Sequence, residues 1–104
     1  MLVARSKNLY GPYILKSDEM GVESSVVIES GKRLKQPGHN YVVKDNKGND
    51  WIVYHAVDIK DMRTKGTDWL SRKMCIDRIY YDKNGWPYVK KFSPSHRLVK
   101  VPEI

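Results

Sequence analysis

Apolar and polar residues alternate with a period of two along most of the chain, the spacing of strands that bury one face. Leu2-Val3-Ala4 predicts a short strand that stops at Lys7-Asn8, and Tyr10-Gly11-Pro12-Tyr13 reads as a turn. Ser25 to Glu29 is a candidate short strand. Two hairpins follow. The first runs Asn40 to Lys44, turns through Asp45 to Asn49, and returns as Asp50 to Ala56. A short Gly-bearing connection between β-rich runs is what a hairpin needs. The second runs Met74 to Tyr81, turns through Asp82 to Gly85, and returns through Trp86 to Val89. Asn84-Gly85 supplies the positive φ of a tight turn.

No segment sustains a helical period, so the predicted class is all-β, built of meandering antiparallel hairpins. Residues 58–71 read as a long polar connection, with a little helix near Asp68-Trp69-Leu70. Longer connections of this kind often carry function. The likeness of the two hairpins is the pattern of repeated propeller blades.

Composition narrows this picture. A chain of 104 residues, 40% hydrophobic and 11% aromatic, supports one small folded domain. Seven Tyr and three Trp against one Phe suit half-buried strands as well as carbohydrate-facing surfaces; strand packing is the simpler account. The net charge of +7 comes from dispersed Lys and Arg, mostly with an acid nearby. The densest groups, Lys32-Arg33-Lys35 and Lys90-Lys91, read as solvated strand ends, so nucleic acid is not an expected partner. No apolar run is long enough to span a bilayer, and no signal peptide precedes Arg5. Cys75 is the single cysteine and reads as a small buried residue rather than a catalytic thiol.

His39 stands directly before a hydrophobic strand, where an imidazole can serve as metal ligand or acid–base group. His55 lies inside a strand, on the face opposite Tyr54. By local pattern both are more simply structural. His96 sits in an exposed turn. No His or Cys spacing supports a zinc site. The acids fall mainly in solvated places: Asp45 and Asp82 in turns, Asp50 at a strand start, and Asp58, Asp61 and Asp68 in the polar connection. Asp77, inside a strand, has Arg78 as a neighbouring structural partner. No catalytic carboxylate pair can be named.

Three segments, in order, resemble glycoside hydrolase family 43. Ala4 to Tyr13 resembles the strand and turn that follow the family's general-acid blade. Pro37-Gly38-His39-Asn40, with Asp45 to Gly48 and Trp51 to Ala56, resembles its Gly-Pro-Gly-His-Asn hairpin ending in Tyr-His-Ala. Arg72 to Tyr81, with Asn84-Gly85-Trp86-Pro87, resembles the hairpin that closes on a Gly-Trp-Pro turn. Gln36 stands where that motif has its first Gly, and Ser71-Arg72-Lys73 departs from the usual Gly-Arg pattern.

The resemblance implies a five-bladed β-propeller, of which the chain is a C-terminal fragment: residues 1–15 the edge of one blade, 24–57 a second and 72–100 a third. It implies inverting hydrolysis of arabinan, xylan and related polysaccharides, as in arabinanases, β-xylosidases and α-L-arabinofuranosidases. The family's base and acid carboxylates map upstream of Met1, so no catalytic residue is expected here and the chain alone is expected to be inactive. His39 matches the His that faces a central metal, usually calcium, held largely through water; Arg72 matches an Arg that contacts the sugar. A tight metal site in this chain alone is not expected. Expected partners are a plant-type polysaccharide and either a second copy or the missing propeller half, with no membrane. The family is often secreted or periplasmic. The alternative expectation is a non-catalytic carbohydrate-binding or structural β-module, followed by an unrelated basic β-domain that binds nucleic acid.

Overall fold

Asp45 and Gly48 fix the turn from which the main sheet grows. Asp45 Oδ1 accepts the amides of Lys47 and Asn49, each at 2.9 Å, and Gly48 takes a φ of 82° that favours glycine. From this turn β3 (Leu34–Lys44) and β4 (Asp50–Asp58) leave as antiparallel partners, Lys44 opposite Asp50 and Leu34 opposite Asp58. The first hairpin therefore forms where the alternation predicts it and runs further at both ends. The computed structural model describes residues 1–61, 72–96 and 102–103.

The second predicted hairpin is divided. β5 (Arg72–Arg78) pairs along β4, from Val57 opposite Arg72 to Trp51 opposite Arg78, giving the sheet order β3-β4-β5. Only β6 (Tyr80–Tyr81) pairs with β7 (Pro87–Tyr88). Ile79 marks the break: its amide donates to the Asp50 carbonyl at 2.9 Å, which ends the run before Tyr80. Pro87 has no amide to extend the smaller ladder. β5 thus belongs to the sheet of β3 and β4. The Asp82 to Gly85 turn is as predicted, with Asp82 Oδ1 accepting the amides of Asn84 and Trp86 and Gly85 at a φ of 81°. The predicted helix at Asp68-Trp69-Leu70 lies outside the described residues.

Before the main sheet, Leu2 bridges to Val26, and β1 (Ala4–Arg5) pairs with β2 (Ile14–Leu15). The candidate strand at Ser25 to Glu29 is reduced to this bridge. A helix the periodicity does not predict, α1 (Lys16–Met20), follows β2 and ends on Gly21 in the left-handed conformation. One turn is too short to leave a periodic signature; Asp18 and Glu19 in its first turn match the helix dipole. Arg5 ties this end of the chain to the Asp82 turn. Its guanidinium stacks over Trp86 at 4.0 Å, donates to the Asn84 carbonyl at 2.8 Å and pairs with Glu19.

The main core cluster lies on one face of the main sheet, while Trp51 and Val57 are buried on the other. Alternation along β4 sends Ile52, Tyr54 and Ala56 to that face, where they meet Val27, Ile28, Leu34, Ile79 and Val89. One expectation about charge is corrected here. Asp58 is buried at the end of β4, not solvated, and Arg33 is its bidentate partner, with Nε and Nη2 each 3.0 Å from a carboxylate oxygen. Lys73 adds a third contact at 3.3 Å and reaches Asp61 at 3.2 Å. A buried carboxylate requires such compensation.

Candidate functional site

The sheet's second face carries the residues singled out for function. Val53 and His55 of β4 project to it, and the register sets Met74 opposite His55 and Arg72 opposite Val57. On β3 the ladder slips between Lys35 and Gly38 and again between Gly38 and Tyr41. Such bulges re-aim side chains. Inside them Gln36 has a φ of 51° and His39 a φ of 48°, conformations that cost a non-glycine residue about 1 kcal/mol. The strained backbone brings His39 beside His55, ring centroids 5.9 Å apart and planes tilted by 40°. Both imidazoles line a shallow hollow of about 240 Å³ with Tyr41, Val53, Tyr54 and Met74.

Arg72 closes one side of this group. Its Nη1 donates to the Gln36 carbonyl at 3.0 Å and lies 3.2 Å from His55 Nδ1; its Nη2 donates to Gln36 Oε1 at 3.2 Å. The two residues carried over from the family pattern, His39 and Arg72, are therefore joined through His55. Sequence reasoning treated His55 as structural and Gln36 only as a departure from glycine. The signal for His55 was present: alternation already set it opposite Tyr54. That for Gln36 was not, because its role depends on a strand remote in sequence. The Gln36 amide is itself held by Ser30 Oγ at 2.8 Å.

The acids of the main sheet and its turns are committed elsewhere. Asp77 is buried on the core face, where its Oδ2 accepts the Tyr54 hydroxyl at 2.6 Å and the Ser95 amide at 3.1 Å. Its expected partner Arg78 points the other way, as the next residue in a strand must, and bonds Asn49 Oδ1 at 2.7 Å. Asp45 is held well below the usual carboxylate range, first by the Trp51 indole N–H and then by amides of its own turn. Asp58 is held as low, chiefly by Arg33. Asp50 is lowered by Lys44 and Tyr81, and Asp82 by the Trp86 amide. A glycosidase acid needs the opposite, a carboxyl still protonated near neutrality. These four are fixed as ionised structural anchors.

Calcium takes about six to eight oxygen ligands. The groups near His39 are imidazoles and the amide of Gln36, and among the described residues no three His, Cys, Asp or Glu side chains converge. These residues do not fit a calcium ion by themselves. Cys75 is half-buried and its thiol pKa is raised by burial, the reverse of an activated nucleophile. His96 is exposed, as expected. A larger cavity of about 690 Å³ lies away from His39 and Arg72, beside Trp51, Arg78, Tyr80 and Lys90. Its cations are partly spent on the Tyr80 ring, with Arg78 at 5.0 Å and Lys90 at 5.3 Å.

The sequence model of glycosyl hydrolases family 43 matches residues 1–87. The chain is 33% identical to the extracellular exo-α-(1→5)-L-arabinofuranosidase ArbA of Cellvibrio japonicus, across 86% of this chain and 24% of that protein. It is 29% identical to a putative β-xylosidase of Escherichia coli, across 100% of this chain and 20% of that protein. Among solved structures, the xylan β-1,4-xylosidase of Bacillus halodurans superposes with a TM-score of 0.69 at 19% identity, over 97% of this chain and 20% of that one. The family 43 protein BlXynB of Bacillus licheniformis gives 0.68 at 22% identity, over 97% of this chain and 19% of that one. The chain thus spans about a fifth to a quarter of the length of these relatives. The structural likeness fixes the fold as antiparallel sheets of a β-propeller.

Proposed function

The chain belongs to glycosyl hydrolases family 43, and from that premise we propose that it forms one wall of a sugar site for arabinan- or xylan-type polysaccharide, without an acid–base pair of its own. The observation that carries this reading is the grouping of Arg72, His55 and His39 on one open face of the sheet, beside an apolar hollow. A guanidinium fork suits the paired hydroxyls of a sugar, and exposed Tyr41 and Met74 offer apolar contact to its C–H faces. The names of the arabinofuranosidase and xylosidase relatives support the substrate class.

Inverting hydrolysis needs two carboxyl groups about 6.5–9.5 Å apart, one protonated and one activating water. Asp45, Asp50, Asp58 and Asp82 are tied to structural partners that keep them from serving as the protonated acid, and Asp77 is buried against Tyr54 and the Ser95 amide, so the acid–base pair is assigned to polypeptide outside these residues. His39 enters as a partial metal contact only, facing an ion whose oxygen shell other residues supply. Leu9, Tyr10 and Tyr13 are 79%, 97% and 59% exposed around the β1–β2 sheet, which supports contact with further blades or with a second copy. The extracellular description of the Cellvibrio relative supports an exported parent protein. The pairing of β5 with β4 favours a blade boundary after Arg78.

A non-catalytic carbohydrate-binding module would use the same wall, and the two readings part on cleavage once the remaining blades are supplied. The test for this chain is calorimetric titration with arabino- and xylo-oligosaccharides alongside a reducing-sugar assay on arabinan and xylan. Binding without hydrolysis is expected. Turnover abolished by replacing an acid of this chain would refute the reading.

A further inference from the structure

Three acceptors, supplied by the two residues Gln36 and His55, converge on Arg72. The Gln36 carbonyl and His55 Nδ1 both face Nη1, and Gln36 Oε1 faces Nη2. Arg72 is exposed and carries a long side chain, so without such contacts its guanidinium would sample many rotamers that binding would have to freeze out. We propose that Gln36 and His55 are positioning residues that hold the Arg72 guanidinium in one orientation, aimed at the sugar. This rests on the reading of Arg72 as a sugar contact.

The chemistry of each group fits the task. An arginine only donates, so a nitrogen facing it must accept. The contact with Nη1 therefore assigns His55 the tautomer with its proton on Nε2. Gln36 presents two acceptors to the two terminal nitrogens, a forked match that a glycine at this position would halve. Its left-handed backbone supports a positional role. Glycine would relieve the φ of 51°, yet the strained residue contributes the amide that meets Nη2. Ser30 Oγ accepts the Gln36 backbone N–H and so anchors the chain on the N-terminal side of Gln36.

The test is nitrogen-15 NMR of the full chain, reading the His55 ring nitrogens and the rotation of the Arg72 guanidinium. In the unaltered chain His55 Nδ1 should be the unprotonated nitrogen, and Arg72 should show slow rotation with resolved Nη signals. His55→Ala and Gln36→Gly should each free the guanidinium, while His55→Gln, whose amide oxygen can accept, should restore it. Gln36→Gly relieves backbone strain, so loss of order in that variant is not a folding defect. Freeing the guanidinium should also weaken xylo- or arabino-oligosaccharide binding about tenfold, the loss of one charge-assisted hydrogen bond no longer held in place. An Arg72 that stays rigid in both His55→Ala and Gln36→Gly overturns the positioning role. Arg72 signals that ignore the sugar in the unaltered chain instead overturn the reading of Arg72 as a sugar contact.

Discussion

The Tyr54 hydroxyl donates to Asp77 across 2.6 Å on the buried face of the sheet, joining β4 to β5 on the side away from Arg72. Tyr54 is only 2% exposed, and its pKa is driven far up, first by burial and then by the carboxylate it faces. Tyr54→Phe removes the donor and leaves Asp77 with the Ser95 amide. We expect a loss of about 1–2 kcal/mol in urea unfolding, at unchanged denaturant slope.

Alkaline titration should separate the tyrosines. A folded pKa raised above the unfolded value of about 10 contributes stability that is complete below that pH and is lost as pH rises above it. Tyr81, pushed up to about 12 by its bond to Asp50, should ionise late, and Tyr54 only on unfolding. Phenolate absorbance recorded against pH, with Tyr54→Phe and Tyr81→Phe as references, checks this. Ionisation of Tyr54 while the chain is still folded would contradict it.

Asp58 sets the acid side. Its folded carboxyl lies below the unfolded value of about 3.9, so its contribution is present above that pH and is lost as pH falls toward the folded value. Melting temperature between about pH 5 and pH 2 should fall more steeply for the unaltered chain than for Asp58→Asn. At neutral pH the variant should melt ~5 °C or more lower, because Arg33 and Lys73 lose their common partner. Equal acid slopes would show that the Arg33–Asp58–Lys73 group is not linked to folding.

Trp86 offers a test of packing. It is fully buried, Arg5 stacks on its ring, and its indole N–H has no hydrogen-bond partner among the described residues. Trp86→Ala should cost about 3–5 kcal/mol. Trp86→Phe should cost much less, since it keeps most of the apolar volume and deletes an unsatisfied donor. Chemical denaturation of the three proteins ranks them, and a Phe variant as unstable as the Ala variant would contradict the account.

The parts legible in the sequence were those decided locally. The Asp45 to Gly48 turn and the alternation through Val53, Tyr54 and His55 could be read because turn chemistry and strand period act within a few residues. His39 read as standing before its strand, whereas β3 begins at Leu34 and holds His39 in a bulge that the local pattern does not reveal. What escaped depends on strands distant along the chain. β5 pairs with β4 from Arg72 to Arg78 while only Tyr80 and Tyr81 pair within the local hairpin, a division that turn chemistry alone does not reveal. Asp58 looked solvated because its partners Arg33 and Lys73 lie 25 and 15 residues away. Gln36 looked like a mere departure from glycine because Arg72, which gives it a purpose, stands 36 residues on.

The central claim is that this chain carries a sugar-contacting wall around Arg72 and no means of cleaving what it holds. One titration addresses both halves: labelled chain with arabino- or xylo-oligosaccharide, followed by NMR of the protein and of the sugar's anomeric signals. The account predicts shifts confined to Arg72, His55, His39 and their neighbours Gln36, Tyr41 and Met74, with the oligosaccharide intact at the end. Release of shorter sugars by the chain alone, or sugar-induced shifts that leave Arg72 untouched, would contradict it.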